Sequence, residues 1–336
     1  MEEHKADNTY LTIVVPVWNR EREIVRSVDS VAKQIADRPI EIVVVDNAST
    51  DGTVRAVREL IRRYPSVSLV ELSCHNNAAT ARNAGLELAN AEYVWFIDSD
   101  DYVADGAIDC IWRELKAASP DILRFDKIND APDVKPANAD LATVELDLAR
   151  NSRNLKFCLA MGSVWNAVFS RAVIGDIRFD ETFDYGEDAL FTWMVTLRAR
   201  RGLYIPKPLY VYMQTPGSLT SSKTPRRFVC YMRQVERFID LVDNAELDSS
   251  VKKELYSDCA WRVYSHAFGC YCPEEIDEDM WKSWKHAYRV VLVENSRRGK
   301  ASRLLSWLML QLQTRQTAYF VYRYRLNVRR RRRRLT

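Results

Sequence analysis

No run of about eighteen apolar residues occurs in the chain, so no membrane-spanning helix is expected. The opening "MEEHKADNTY" is charged and lacks the apolar core of a signal peptide, so the chain is expected to stay in the cytoplasm. Zinc-like spacing is missing as well. The seven cysteines are odd in number and irregularly placed, and only Cys270 and Cys272 lie close together, as C-x-C with His266 nearby. A zinc site wants four ligands at recognisable spacing, so reduced thiols are the expectation. There are no internal repeats, and the only low-complexity segment is an arginine run at the carboxyl end.

What is present is enough for a sizeable core. The chain has 336 residues, 47% of them apolar, which argues against wholesale disorder and for one large domain with additions or two domains. The net charge is +3, but eight arginines between Arg323 and Arg334 supply +8 of it, so the rest of the chain carries −5.

Short apolar runs alternate with helical patterns. "LTIVVPVW" (Leu11–Trp18) and "IEIVVVD" (Ile40–Asp46) read as buried strands, and "VSLVEL" (Val67–Leu72) as a third. Asn19 is placed to cap a helix whose apolar face is Ile24, Val28, Val31 and Ile35. Val54, Val57 and Ile61 give the next helix face, and the alanine-rich segment 78–89 a third helix. A fourth strand, Tyr93–Ile97, runs directly into three carboxylates, Asp98, Asp100 and Asp101. This alternation predicts βαβ units and a mostly parallel sheet flanked by helices. Ligands bind such sheets beyond the carboxyl ends of the strands, where Asp46 and Asp98 should share one crevice.

Residues 130–147 read as a loop or excursion. Residues 203–220 read as a strand ending in a turn, and the chain beyond Arg226 as helical, with Val235, Phe238, Ile239 and Val242 in one stripe and Trp281, Trp284 and Tyr288 in another.

Asp98-Ser99-Asp100 has the D-x-D form. Two nearby carboxylates suit Mg²⁺ or Mn²⁺, which bind through one or two acids plus substrate phosphates. Taken alone, such a pair is more readily an acidic turn.

It is not alone. "VVPVWNRE", "EIVVVDNASTDGT", "ATARNAGLELANAEYVWFIDSDDYV" and "FDETFDYGEDALF" follow one another at a spacing that resembles the inverting glycosyltransferases of family 2, of GT-A fold. The resemblance covers residues 10 to 220 and implies a nucleotide-sugar-binding half (10–130) and an acceptor-binding half (131–225); the residue pattern adds a short N-terminal tail (1–9), a helical region (226–300) and a tail (301–336). It implies that Asp46 reads the uracil edge of a UDP-sugar. Pro16 and Trp18 would flank the base, Arg82 would contact the nucleotide, and Asn19 and Ser99 would lie in the same nucleotide-sugar site. Asp98 would lie near the ribose and the metal, and Asp100 would be the main ligand of Mn²⁺ or Mg²⁺. Asp188 would be the catalytic base with Glu187 beside it, and Trp165 an aromatic on the acceptor side. The family often has glycine where this chain has Asn77, Asn47, Ala48 and Ala91, and Gln214 lies near where some relatives carry a metal-binding histidine.

The function implied is sugar transfer from a UDP-sugar to a glycan or lipid-linked acceptor in surface polysaccharide synthesis. A nucleotidyltransferase is the rival, but "VPVWNRERE" has no glycine for a phosphate loop. A degenerate glycan-binding module is the other, against which stand the intact D-x-D and E-D pairs. Within "SRLLSWLMLQLQTRQTAYFVYRYRLNVRRRRRR", an apolar and aromatic stretch precedes the arginines, which suits an anionic membrane surface. Peripheral association with the inner face of the cell membrane is therefore expected, rather than nucleic-acid binding.

Overall fold

The structure, a computed structural model, describes residues 9–130, 142–213, 225–256 and positions 278, 279, 281, 282 and 285. The chain divides into two compact units, Met1–Pro216 and Gly217–Thr336.

The first unit is built on one sheet of nine strands among the described residues. Its first half alternates as expected: β1 (Leu11–Val17), α1 (Glu23–Ile35), β2 (Ile40–Asp46), α2 (Thr53–Arg63), β3 (Val67–Glu71), α3 (Ala78–Leu88) and β4 (Tyr93–Phe96). β1 lies between β2 and β4, parallel to both, with Val17 opposite Asp46 and Val14 opposite Phe96. After the short β5 (Tyr102–Val103) come α4 (Ala107–Ala118), β6 (Ile122–Asn129), β7 (Val144–Asp147), α5 (Ser152–Ala160) and β8 (Ala167–Ser170). The unit closes with α6 (Arg171–Ile174), α7 (Glu187–Arg198) and β9 (Arg201–Tyr212).

The strand order is β3-β2-β1-β4-β8-β6-β9-β5, with β7 on β9. β8 is antiparallel to β4 and β6, and β5 and β7 are antiparallel to β9, so the other six strands all run one way. β6 and β9 come from the two halves set apart by the sequence, yet they lie side by side in this sheet.

Two apolar layers cover the sheet. Ile24, Val28, Val31 and Ile35 of α1 are all buried on one face, as their spacing predicts. Val14, Leu86, Phe169 and Phe191 belong to the layer on the other. α3 lies close on β1 because Gly85 has no side chain: a Cβ there would stand 2.3 Å from a Val14 methyl.

Three local expectations need correction. Asn19 does not cap α1, whose N-cap is Arg22. The buried face of α2 is Thr53, Val57 and Leu60, with Val54 and Ile61 only partly covered. Part of the expected excursion is the strand β7; residues 131–141 lie outside the described residues. β7 was missed because only Leu146 of its four residues is buried, so it carries no apolar alternation.

In the second unit, α8 (Pro225–Asn244) and α9 (Ser249–Leu255) are described, and Val235, Phe238, Ile239 and Val242 are buried as a stripe. Trp281 is buried; Trp284, Tyr288, Gln214 and the whole tail 301–336 lie outside the described residues. Among the described residues, no helix is long and apolar enough to cross a membrane.

Candidate functional site

The site is the edge of the sheet where β1, β2, β4, β6 and β9 end. Asp46 ends β2 and is 2% exposed. Its Oδ2 accepts from the backbone N–H of Ser49 at 3.0 Å, while its Oδ1 is buried and has no partner in the protein. Buried polar atoms are nearly always satisfied, so this orphaned acceptor calls for a donor that the protein itself does not supply.

The surroundings fix Asp46 in place. Asn47 donates to the Asn76 carbonyl at 2.7 Å and accepts from the Asn76 N–H at 3.0 Å, which ties the end of β2 to the approach to α3. Ala48 turns the chain at a φ of 58°, where the family often has glycine. Asn19, instead of capping, donates its N–H to Ser49 at 2.9 Å and accepts from the Thr50 N–H at 2.8 Å. Pro16 is partly covered, and the Trp18 ring lies flat on His75 with centroids 4.1 Å apart. Trp18 is 47% exposed, so its ring has surface to offer a flat ligand.

At the end of β4 the three acids separate by orientation. Asp101 turns inward: it is 1% exposed, and its two oxygens accept from the Tyr210 hydroxyl and the Met213 N–H, both at 2.7 Å. Burial, then the charge of Asp98, pushes its carboxyl up to about 7 against those two hydrogen bonds. Asp98 and Asp100 remain partly exposed around the buried Ser99. The Asp98 N–H donates to the Tyr210 hydroxyl at 3.2 Å, and the Asp100 carbonyl accepts from Arg26 at 2.7 Å, so the turn is held from both sides.

Among the described residues, no three acids, histidines or cysteines gather into a ready-made metal cage. Two carboxylates alone are an incomplete shell. They fit a hard divalent cation that takes its remaining oxygens from a diphosphate and water.

Arg82 of α3 connects this turn to α7. The guanidinium, 5% exposed, donates to Glu187 at 2.6 Å and to Asp98 at 2.9 Å. Burial favours its neutral form, but Asp98, Glu187 and Asp188 outweigh that and keep it firmly charged. Asp188 follows Glu187 in the first turn of α7, which starts at Gly186 with φ 81°. Asp188 is half-buried and accepts from the Ala189 N–H at 2.8 Å. Desolvation, then the like charge of Glu187, pushes its carboxyl up to about 7, although Arg82 pulls the other way.

Further along the edge, Trp165 is 9% exposed and stacks on Tyr210 at 4.8 Å, with Tyr212 at 5.7 Å. The segment leading to Trp165 is held by Arg124 of β6. This fully buried arginine donates to the carbonyls of Cys158, Met161 and Ser163 and to the Asn166 side chain. The carbonyl end of α5 takes the place of a carboxylate partner. Burial pulls this guanidinium down to about 10.

Residues 12–178 match the model of the family described as Glycosyl transferase family 2. The chain belongs to that family. This family 2 chain is 25% identical over 220 residues to the uncharacterized glycosyltransferase EpsJ of Bacillus subtilis, covering 62% of each. It is 27% identical over 259 residues to the poly(ribitol-phosphate) β-N-acetylglucosaminyltransferase TarS of Staphylococcus aureus, covering 76% of this chain and 44% of TarS. The crystal structure of S. aureus TarS 1-349 with UDP-GlcNAc superposes with a TM-score of 0.70, over 90% of each chain at 22% identity. The mannosyltransferase PcManGT of Pyrobaculum calidifontis, in complex with GDP-Man and Mn²⁺, gives 0.56 over 94% and 84% at 18%. At these identities the structural likeness establishes the GT-A fold. The chain spans less than two thirds of the length of the two relatives matched by sequence.

The family 2 motifs thus converge on one edge. Arg82, Asp98, Glu187 and Asp188 form one charged cluster, while Asp46, Pro16, Trp18 and Asn19 form a separate group at the ends of β1 and β2. Sequence reading missed the partners that hold them. Tyr210 lies in an apolar and aromatic run of β9 with nothing to set it apart from its neighbours. Arg124 reads as an ordinary charge, since burial of a single arginine leaves no mark in the sequence.

Proposed function

We propose that this chain is an inverting glycosyltransferase that moves a sugar from a UDP-sugar to a hydroxyl of a glycan or lipid-linked acceptor. The observation that carries the reading is the unpartnered Oδ1 of Asp46, with the exposed Trp18 one residue past its register partner Val17. Uracil presents an N3–H donor on its edge and a flat face for stacking. Cytosine has an acceptor at that nitrogen and would leave Asp46 facing a lone pair.

The diphosphate would then lie at the turn after β4. Asp98 and Asp100 would hold Mn²⁺ or Mg²⁺ jointly with it, and the ion would offset the charge that collects on the departing UDP. Arg82 holds Asp98 and Glu187 in place and keeps positive charge beside three acids. Asp188 has one carboxyl oxygen left for an acceptor, the other accepting from the Ala189 N–H, with a proton affinity suited to work near neutral pH. It takes the proton of the acceptor hydroxyl as that oxygen bonds to C1 of the sugar and the bond from C1 to UDP breaks. A single displacement of this kind inverts the anomeric centre.

The likeness to TarS makes UDP-GlcNAc the first donor to try and a surface polymer the first acceptor class. The basic tail would keep the enzyme at the inner face of the membrane, near lipid-linked acceptors. A panel of UDP-sugars incubated with Mn²⁺ and membrane extract tests the reading. Release of UDP and labelled polymer from one donor is the expected result. Failure to bind or cleave any UDP-sugar would refute it.

A further inference from the structure

On the reading above, the edge of the sheet runs in one direction from donor to acceptor. The base lies at β1 and β2, the diphosphate at β4, and beyond them come β8, β6 and β9. Lys127, at the carboxyl end of β6, is two strands past β4, on the order of 10 Å along the edge at the usual strand spacing.

Its ammonium is held by rings. Nζ stands 4.0 Å from the centroid of Tyr212 and 5.3 Å from that of Trp165. Such contacts orient a lysine but leave its charge uncancelled. Among the described residues, Asp101 is the one acid that acts on this ammonium, and both its oxygens are taken by Tyr210 and Met213. Burial pulls the lysine's proton affinity down, more than Asp101 restores it. Lys127 is nevertheless an exposed residue, so a ligand can reach it.

Trp165 is covered by its neighbours and has little surface of its own to offer. Tyr212 and Lys127 are the outer members of the stack. We propose that Lys127 and Tyr212 form a subsite for a phosphate group carried by the acceptor. A lysine is a compact point charge with three donors, which suits a phosphate without demanding one orientation. The tyrosine ring beside it suits the apolar face of the adjoining sugar or polyol. This substrate class rests on the glycosyltransferase reading.

The test is equilibrium binding to the full chain saturated with UDP and Mn²⁺, using a short glycerol phosphate oligomer and a neutral gluco-oligosaccharide of the same length. Wild type should bind the phosphate oligomer more tightly. Lys127→Gln should weaken that binding about tenfold, as for one lost charged hydrogen bond, and Lys127→Arg should restore most of it. Affinity for UDP and for the neutral oligomer should not change.

Equal binding of the phosphate oligomer by wild type and Lys127→Gln would overturn the subsite, since the charge would then act elsewhere, as in the arginine tail. A parallel loss of UDP affinity would also overturn it, by placing the phosphate on the donor. Wild type that fails to bind UDP at all contradicts the underlying reading. Wild type that binds UDP but favours neither oligomer contradicts the subsite alone.

Discussion

Arg82 and Glu187, on helices α3 and α7, meet in a hydrogen bond of 2.6 Å. The other arm of the same guanidinium holds Asp98 at 2.9 Å. One buried cation therefore joins the turn that would face the diphosphate to the helix that carries the candidate base. Removing it would leave the buried Glu187 and the partly exposed Asp98 without a counter-charge. Arg82→Ala should cost about 3–5 kcal/mol, the usual loss when one partner of a buried pair is deleted. Thermal melting should show a drop on the order of 10 °C. Arg82→Lys keeps the charge but cannot span both acids, so its loss should be smaller. An unchanged melting temperature for Arg82→Ala would mean that the cluster is solvated.

Asp188 gives a pH signature. Its carboxyl titrates near 7 in the folded chain, against an ordinary value of 3.8. A base must be deprotonated to work, so kcat/KM should climb with pH and level off above about 7. Stability moves the other way. The folded state holds this proton more tightly than the unfolded state, so the contribution is full below the ordinary carboxylate range and is lost as pH rises through about 7. Asp188→Asn should cut turnover by about 10²-fold or more, with near-normal donor affinity. Turnover within about threefold of wild type would move the base to another group, Glu187 first.

Ala48 sits in the left-handed region at a φ of 58°. An L-residue there costs roughly 1–2 kcal/mol, and a glycine's extra freedom when unfolded takes back about half of the relief. Ala48→Gly should therefore stabilise the chain by about 0.5–1 kcal/mol, read as a small rise in melting temperature. A fall would show that the alanine methyl makes contacts worth more than the strain.

The metal reading makes a separable claim. Mn²⁺ should tighten UDP binding to wild type, and Asp100→Ala should remove most of that gain while leaving metal-free UDP affinity unchanged. Calorimetric titrations with and without metal distinguish the two. If Mn²⁺ strengthens UDP binding equally in both proteins, Asp100 is not a ligand.

What could be read from the chain depended on period and position. β1, β2 and α1 were legible because their apolar residues follow the strand and helix repeats without interruption. The carboxylates were legible because each lies at or next to the start or end of an element, inside a motif. Strand direction was less so: β8 is four residues long, and whether it runs with or against β4 depends on the path that brings it there. β7 was invisible because an edge strand with exposed side chains looks like a loop. Asn19 was misread for a related reason. Its residue type suits a cap, but the turn after β2, far along the chain, competes for the same side chain and prevails. The roles of Tyr210 and Arg124 rest on contacts between distant segments, which one sequence does not reveal.

The central claim is that Asp46 reads the uracil edge of a UDP-sugar. Titration of UDP and CDP into wild type and Asp46→Ala, with circular dichroism to confirm that both are folded, tests it most directly. Wild type should prefer UDP. Asp46→Ala should bind UDP about tenfold or more weakly, as expected for a charged hydrogen bond, and should lose that preference. Folded Asp46→Ala that binds UDP as tightly as wild type would contradict the account.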